Sequence, residues 1–255
     1  MFKLKDWIQE DNLSYYLSEN PNAIQYLERN PEKIDWTKLS RNPNALTLLQ
    51  KNQDKIDWFH LSTNTGAISL LEENYHKISW LYLSLNSAAI HLLEDSIMID
   101  WENLSLNSGA MHMIEKNMKK ISWLMLSANE SAVPLLEKNL DKVNWLMLST
   151  NPAAIHIIEA NLDKISWRLL STNPAAMHLL EANQHLIDWT QLSTNPSAIH
   201  LLQKNQDKID WFWISINPGI FEYDYEQMNK PFTEELMQER FNPRNLNKFE
   251  DWGYE

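Results

Sequence analysis

The sequence predicts an all-α fold: an α-solenoid of about ten 22-residue helix-turn-helix repeats with a C-terminal helical cap. Three observations predict it. Trp36, Trp58, Trp80, Trp101, Trp123, Trp145, Trp167, Trp189 and Trp211 recur every 22 residues, with a single step of 21 between Trp80 and Trp101. The stretch "NPAAIHIIEANLDKISWRLLST" at 151–172 is followed at once by "NPAAMHLLEANQHLIDWTQLST" at 173–194. Composition agrees, with 12 Trp against 4 Gly, a bias toward bulky packing residues and away from flexible turns. A unit this short cannot bury its own apolar face, so it has to stack on its neighbours.

Each unit carries its own helix boundaries. The residue before the Trp is Asp35, Asp57, Ser79, Asp100, Ser122, Asn144, Ser166, Asp188 or Asp210. All of these can accept a hydrogen bond from the free amides of a helix start, so Trp opens a short first helix. That helix ends near an Asn repeated ten times, from Asn20 through Asn217, often followed by Pro. Asn caps the second helix and Pro occupies its first position, where the missing amide costs nothing. Asn30, Asn52, Asn74, Asn117, Asn139, Asn161, Asn183 and Asn205 close the second helix, where a left-handed residue is expected. Ten Ser, from Ser18 through Ser215, lie four residues after the Trp position and read as small, buried, self-satisfied hydroxyls rather than nucleophiles. In the second helix, Ala154 or Ala153 with Ile155, Ile157 and Ile158 forms an apolar arc, and His156 points away from its centre. A Trp as buried as this pattern implies is worth about 3 to 5 kcal/mol against Ala.

Two irregularities mark the organisation. The stretch "EDSIMIDW", from Glu94 to Trp101, lacks one residue, puts Ser96 at the closing Asn and lacks the Lys seen at Lys55, Lys77 and Lys120. A local change of superhelical twist is expected there. Near the start, Ser14 stands where Trp is expected, so the first unit is atypical, as solenoid caps are. The expected divisions are an N-terminal capping repeat over 1–35, solenoid repeats over 36–217, and an acidic, aromatic-rich cap or tail over 218–255, with a helix start at "PFTEE".

Composition narrows the function classes. The absence of Cys removes disulfides, thiolate nucleophiles and thiolate zinc sites, and fits a reducing compartment. The charged start "MFKLKDWIQED" has no apolar signal core, and no stretch approaches ~18 apolar residues, so an intracellular protein off the membrane is expected. Net charge is -12, from 22 basic and 34 acidic residues, which disfavours nucleic acid as a partner. Ser, His and Asp recur as ladders without a unique constellation or a Gly-rich phosphate loop, so no catalytic residue and no cofactor is expected.

The unit KI(D/S)WxxLSxNPxAIxLLExN, with the tail "FEYDYEQM" and a later "EEL", resembles repeat proteins encoded by giant nucleocytoplasmic large DNA viruses. The resemblance covers nearly the whole chain. Such proteins mostly lack an assigned activity, so it carries over no catalytic residue. It implies expression in the cytoplasm of an infected host cell, with a host-directed adaptor role or incorporation into the virion. The tail departs from the family form at "RFNPRNL", where Asn242 stands in place of an expected His.

Positions fixed in every unit are explained by folding, so function is sought where units differ. The pair after each Trp is one such place, with Phe59, Leu81, Tyr82, Leu124, Met125, Leu146, Met147 and Leu169 as protein-binding candidates and Leu85 as an extension. Such a stripe is either an exposed partner surface or an inner layer packed on both sides, because a two-turn helix defines its outer face poorly. A peptide or helix fits an exposed stripe. The second place is a His row, His91, His112, His156, His178 and His200, interrupted by Pro134. Four of these open a His-x-x-Glu pair that shares a helix face, read as a solvated contact three residues on, with no metal site assigned. The function expected is a protein-protein interaction scaffold or adaptor, with self-association as a structural component of the virion the alternative and a metal-dependent enzyme a distant third.

Overall fold

The computed structural model describes residues 2–94 and 96–227. Short helices follow one another along the described chain, and the strands there are β1 (Phe2–Leu4) and β2 (Phe221–Tyr223). A regular unit has three parts, seen in the seventh as the helix Trp145–Leu148, the tight turn Pro152–Ala154 and the helix Ile155–Glu159. Many units add a second tight turn before the next Trp, as at Gln53–Lys55. The core is a continuous stack of Leu, Ile and Ala from every unit, among them Leu148, Ala154 and Ile158, with no side-chain exposure.

The helix starts follow the sequence reading with one exception. Asp35, Asp57, Asp100, Ser122, Asn144, Ser166, Asp188 and Asp210 each accept a backbone amide two or three residues on. Ser79 makes no such side-chain bond. At the first unit Ser14, not Tyr15, holds the capping position and accepts the Tyr16 amide. The expectation that Ser14 replaces Trp is thereby shifted by one residue, and Tyr15 opens the helical turn.

Between units the Ser and Asn rows do most of the joining. Each Asn of the ten-fold row accepts an amide two residues on within its own unit, as Asn151 does from Ala153. Its Nδ2 donates backwards, from Asn151 to the carbonyls of Ser127 at 3.1 Å and Asn129 at 3.0 Å. Each Ser hydroxyl accepts an amide from the next unit, as Ser127 does from Asn144 at 2.9 Å, and Ser127 donates to the Trp123 carbonyl. These polar side chains are buried without charge and with their bonds made, so they cost little desolvation and fix the stacking register.

The ladder closes on itself. Asn20 Nδ2 donates to the carbonyls of Ser215 and Asn217 at 3.0 and 2.9 Å, the same two bonds that Asn42 makes to Ser18 and Asn20. The Ser14 amide donates to Ser215 Oγ, as the Asp35 amide does to Ser18. β1 pairs antiparallel with β2, with Phe2 opposite Tyr223 and Leu4 opposite Phe221. The solenoid is therefore a closed ring of ten units, which turn the chain by a tenth of a circle on average. Each terminal unit covers the other. Residues 228–255, including the expected helix at "PFTEE" and Asn242, lie outside the described residues.

Two local expectations need correction. The closing Asn is not left-handed: φ is -129° at Asn30 and -131° at Asn205. Its side chain ends the helix instead, donating to the carbonyl four residues back, as Asn161 does to Ile157. Trp is half-buried rather than buried, because its ring covers the outer edge of the core. In many units its exposed face is covered by the Lys that ends the same unit, 19 residues on, as Lys164 over Trp145 at 4.7 Å and Lys77 over Trp58 at 4.3 Å.

Candidate protein-binding site

The first helix of each unit buries its fourth residue and lays its Trp on the core, which forces the residue after Trp outward. The outcome at these positions settles the choice that periodicity left open. Phe59, Leu81, Leu124 and Leu146 are exposed, at 62%, 47%, 42% and 53%, so the stripe is surface and not a layer packed on both sides. The following residues, Tyr82, Met125, Met147 and Leu169, are half-buried, as is Leu85. They form the floor on which the exposed side chains stand.

The ring divides this stripe into groups. Units three and four bring together Phe59, Tyr82 and Leu81, with the Phe59 and Tyr82 rings edge to face at 5.9 Å. Units six and seven supply Leu124, Met125, Leu146 and Met147, with Leu169 continuing into unit eight. Glu102 and Asn103 separate these two groups, and Asn103 Nδ2 ties back to the Leu81 carbonyl at 3.0 Å. Arg168, Thr190 and Gln191 end the second group on its far side.

A third group is created by ring closure, and the sequence reading missed half of it. Tyr16 stacks on Tyr15 at 4.9 Å, tilts against Trp213 at 5.0 Å and meets Phe212 edge to face at 5.2 Å, while Lys38 lies over its ring at 4.1 Å. Phe212 and Trp213 were legible at the stripe positions. Tyr15 and Tyr16 were not, although the doublet directly before "LSENP" occupies the same place as a Trp-led pair.

Electrostatics at the first group are set by Asp57. Burial works to raise its carboxyl, and the His60 amide, the His60 imidazole and the Phe59 amide outweigh it and hold the group below the usual carboxylate range. His60 Nδ1 lies 3.0 Å from Asp57 Oδ2 and its ring stacks on Tyr82 at 6.2 Å. The rigid cap and the stacked ring hold the edge of the apolar patch in place.

The His row occupies the second helices, away from the stripe, and its bonding differs from the expected contact three residues on. Each imidazole reaches the Glu of the preceding unit: His91 to Glu72, His112 to Glu94, His156 to Glu137, His178 to Glu159 and His200 to Glu181, all at 2.6 to 2.9 Å. The two side chains together are long enough to cross between adjacent helices, so the Glu of one unit is engaged by the next. The row breaks at Pro134, which offers no imidazole to Glu115. Both partners are about half exposed, so each pair is worth little in stability. Among the described residues, no group of three or more His, Cys, Asp or Glu is placed to hold a metal ion.

The repeated Ser hydroxyls are buried, and a hydroxyl such as Ser127 both donates and accepts a backbone hydrogen bond, which leaves it no access to a substrate. No helix among the described residues is long and apolar enough to cross a membrane. Comparison with protein-family models, curated proteins and solved structures finds no match to this chain.

Proposed function

We propose that the protein is a non-enzymatic scaffold or adaptor that binds a protein partner through the apolar groups on its first-helix face. The observation that supports this most is the exposure of Phe59 and Leu81 on one pair of adjacent units and of Leu124 and Leu146 on another, where a solvent face is ordinarily polar. The half-buried Tyr82, Met125 and Met147 beneath them give such a partner a packed floor, and Met adapts readily to different contact shapes. The ring holds these groups at fixed mutual positions, so a partner engaging two of them gains from both without ordering the scaffold. In this reading the chain is a giant-virus repeat protein acting in the cytoplasm of the infected cell on a host or viral protein, and it needs no cofactor.

The test is the double variant Leu124→Glu, Leu146→Glu, with its fold verified by circular dichroism. Affinity purification from infected cells should enrich one partner with the wild type and lose it with the folded variant. Enrichment that survives the double substitution would move the binding face elsewhere. Sedimentation of the purified protein distinguishes the alternative. A concentration-dependent oligomer abolished by the same substitutions would make the partner a second copy, as a structural role in the virion requires.

A further inference from the structure

The last loop of unit four, residues 94–100, lacks one residue, the closing Asn and the Lys that covers a Trp in other units. The space this leaves is a hollow of about 660 Å³ on the second-helix side of the ring, away from the apolar stripe. Ile99, Trp101 and Met113 line it with Lys116 and with Lys120, which lies over the Trp101 ring; Glu94 also lines it but is engaged by His112, and Lys119 adjoins Lys116 and Lys120 in the neighbouring depression. Ile97, at its mouth, is 97% exposed, the most exposed large apolar side chain in the described ring. Lys116 and Lys120 belong, with Lys119, to the densest run of cations in a chain of net charge -12. An apolar lining beside cations selects an aromatic segment that carries carboxylates.

Two stretches of the chain fit that description: "FEYDYE" at 221–226, whose first three residues are held in β2 against β1, and a second one beyond it. Residues 249–255, "FEDWGYE", hold three aromatic side chains, three carboxylates and no cation. We propose that this segment docks in the hollow of unit four within the same molecule, with its rings against Trp101 and Met113 and its carboxylates against Lys116 and Lys119. Reach permits it. The 21 residues between Gln227 and Phe249 span up to ~75 Å extended. Half the ring is five units, or roughly 40 to 50 Å of arc at ordinary helix spacing. The other acidic part of the protein near its closure, around Glu10 and Asp11, repels such a segment rather than competing for it.

Carbodiimide cross-linking of the full chain tests this, because the reagent joins a carboxylate to an ammonium group only at direct contact. Equal amounts of ¹⁵N-labelled and unlabelled protein are mixed at low concentration and the joined peptides read by mass spectrometry. The expected result is amide links from Glu250, Asp251 or Glu255 to Lys116 or Lys119 within single chains. Links from the same carboxylates to the adjacent Lys120 should fall at least about tenfold in Lys116→Glu, Lys119→Glu, and links of reversed polarity between positions 250 or 251 and positions 116 or 119 should appear when Glu250→Lys, Asp251→Lys is added. No such link in the wild type, an equal spread over Lys138, Lys142 and Lys164, or links only between labelled and unlabelled chains would each overturn the proposal. The wild-type map alone decides the matter if a variant misfolds.

Discussion

Two junctions of the ring invite comparison. One joins unit ten to unit one, between residues almost two hundred positions apart; the other joins units four and five, which are consecutive. The distant junction is the more regular. Asn20 makes both rung bonds, to Ser215 and Asn217, whereas Asn107 makes only the one to Ser84. At the distant junction the covalent chain has been replaced by β1 on β2 and by the Tyr16 aromatic cluster. At the near one, deletion of a single residue has shifted the register. Unit stacking thus depends on the Ser and Asn ladder being in register, and chain connectivity is neither necessary for it nor sufficient.

The largest expected effect breaks the ladder itself. Asn151→Ala removes two donated bonds and one accepted bond from a buried site, so urea unfolding should show a loss of about 3 to 4 kcal/mol. Asn107→Ala, with one rung bond fewer to lose, should cost about 1 kcal/mol less. Equal losses at the two sites would remove the distinction between a regular and an irregular junction.

Next in size is Gly66→Ala. A Cβ there would lie 2.1 Å from the Pro43 carbonyl oxygen, a backbone atom of the neighbouring unit, so the turn must shift. A cost of about 1 to 3 kcal/mol follows from overpacking, again measured by urea unfolding. No cost would mean that the turns are more loosely stacked than this contact indicates.

The Lys-on-Trp row gives a smaller and two-sided prediction. Lys164→Ala should lose about 0.5 to 1 kcal/mol by uncovering Trp145. Leu186 stands where that Lys would cover Trp167, so Leu186→Lys should recover a few tenths of a kcal/mol, about half the loss seen for Lys164→Ala. Both changes should appear as shifts in the urea midpoint without a change in slope.

The smallest effect is electrostatic and lies near the closure. Lys33 hydrogen-bonds Glu10 at 2.7 Å, and the Tyr26 hydroxyl donates to the same carboxylate, which together hold Glu10 below its usual range. A depressed carboxyl stabilises the fold above its unfolded pKa of ~4.3, and that contribution fades as pH falls through the folded value. Because the pair is largely exposed, the loss between pH 5 and pH 3 should differ between wild type and Lys33→Met by only about 0.5 kcal/mol. An identical acid dependence in the two proteins would show that Glu10 is not coupled to folding.

Much of this was legible in the sequence, for a physical reason that differs by element. Helix starts were readable because capping is local: Asp57 and His60 are three residues apart, and the bond between them depends on nothing else. The exposed stripe was readable as positions, but its exposure was not, since a first helix of four residues has too little periodicity to separate core from surface. Ring closure was invisible because every unit looks alike to its neighbours, and nothing in a repeat states how far it turns. The His row was read within one helix, where the spacing to Glu is three, while the bonds run between helices. The closing Asn was assigned the backbone role Asn commonly plays, and here its side chain does the work instead.

Closure is the claim on which the shared register, the third aromatic group and the reach of the tail all rest. The chain has no native Cys, so spin labels can be attached at Lys3→Cys and Glu222→Cys without competing sites. These positions are paired across β1 and β2, where opposed α-carbons lie about 5 Å apart. A dipolar measurement on dilute, monomeric protein should return one short label separation, below about 20 Å once the label arms are included. An open solenoid of the same units would hold the two labels roughly 70 to 90 Å apart at ordinary helix spacing, and such a distance would contradict the ring.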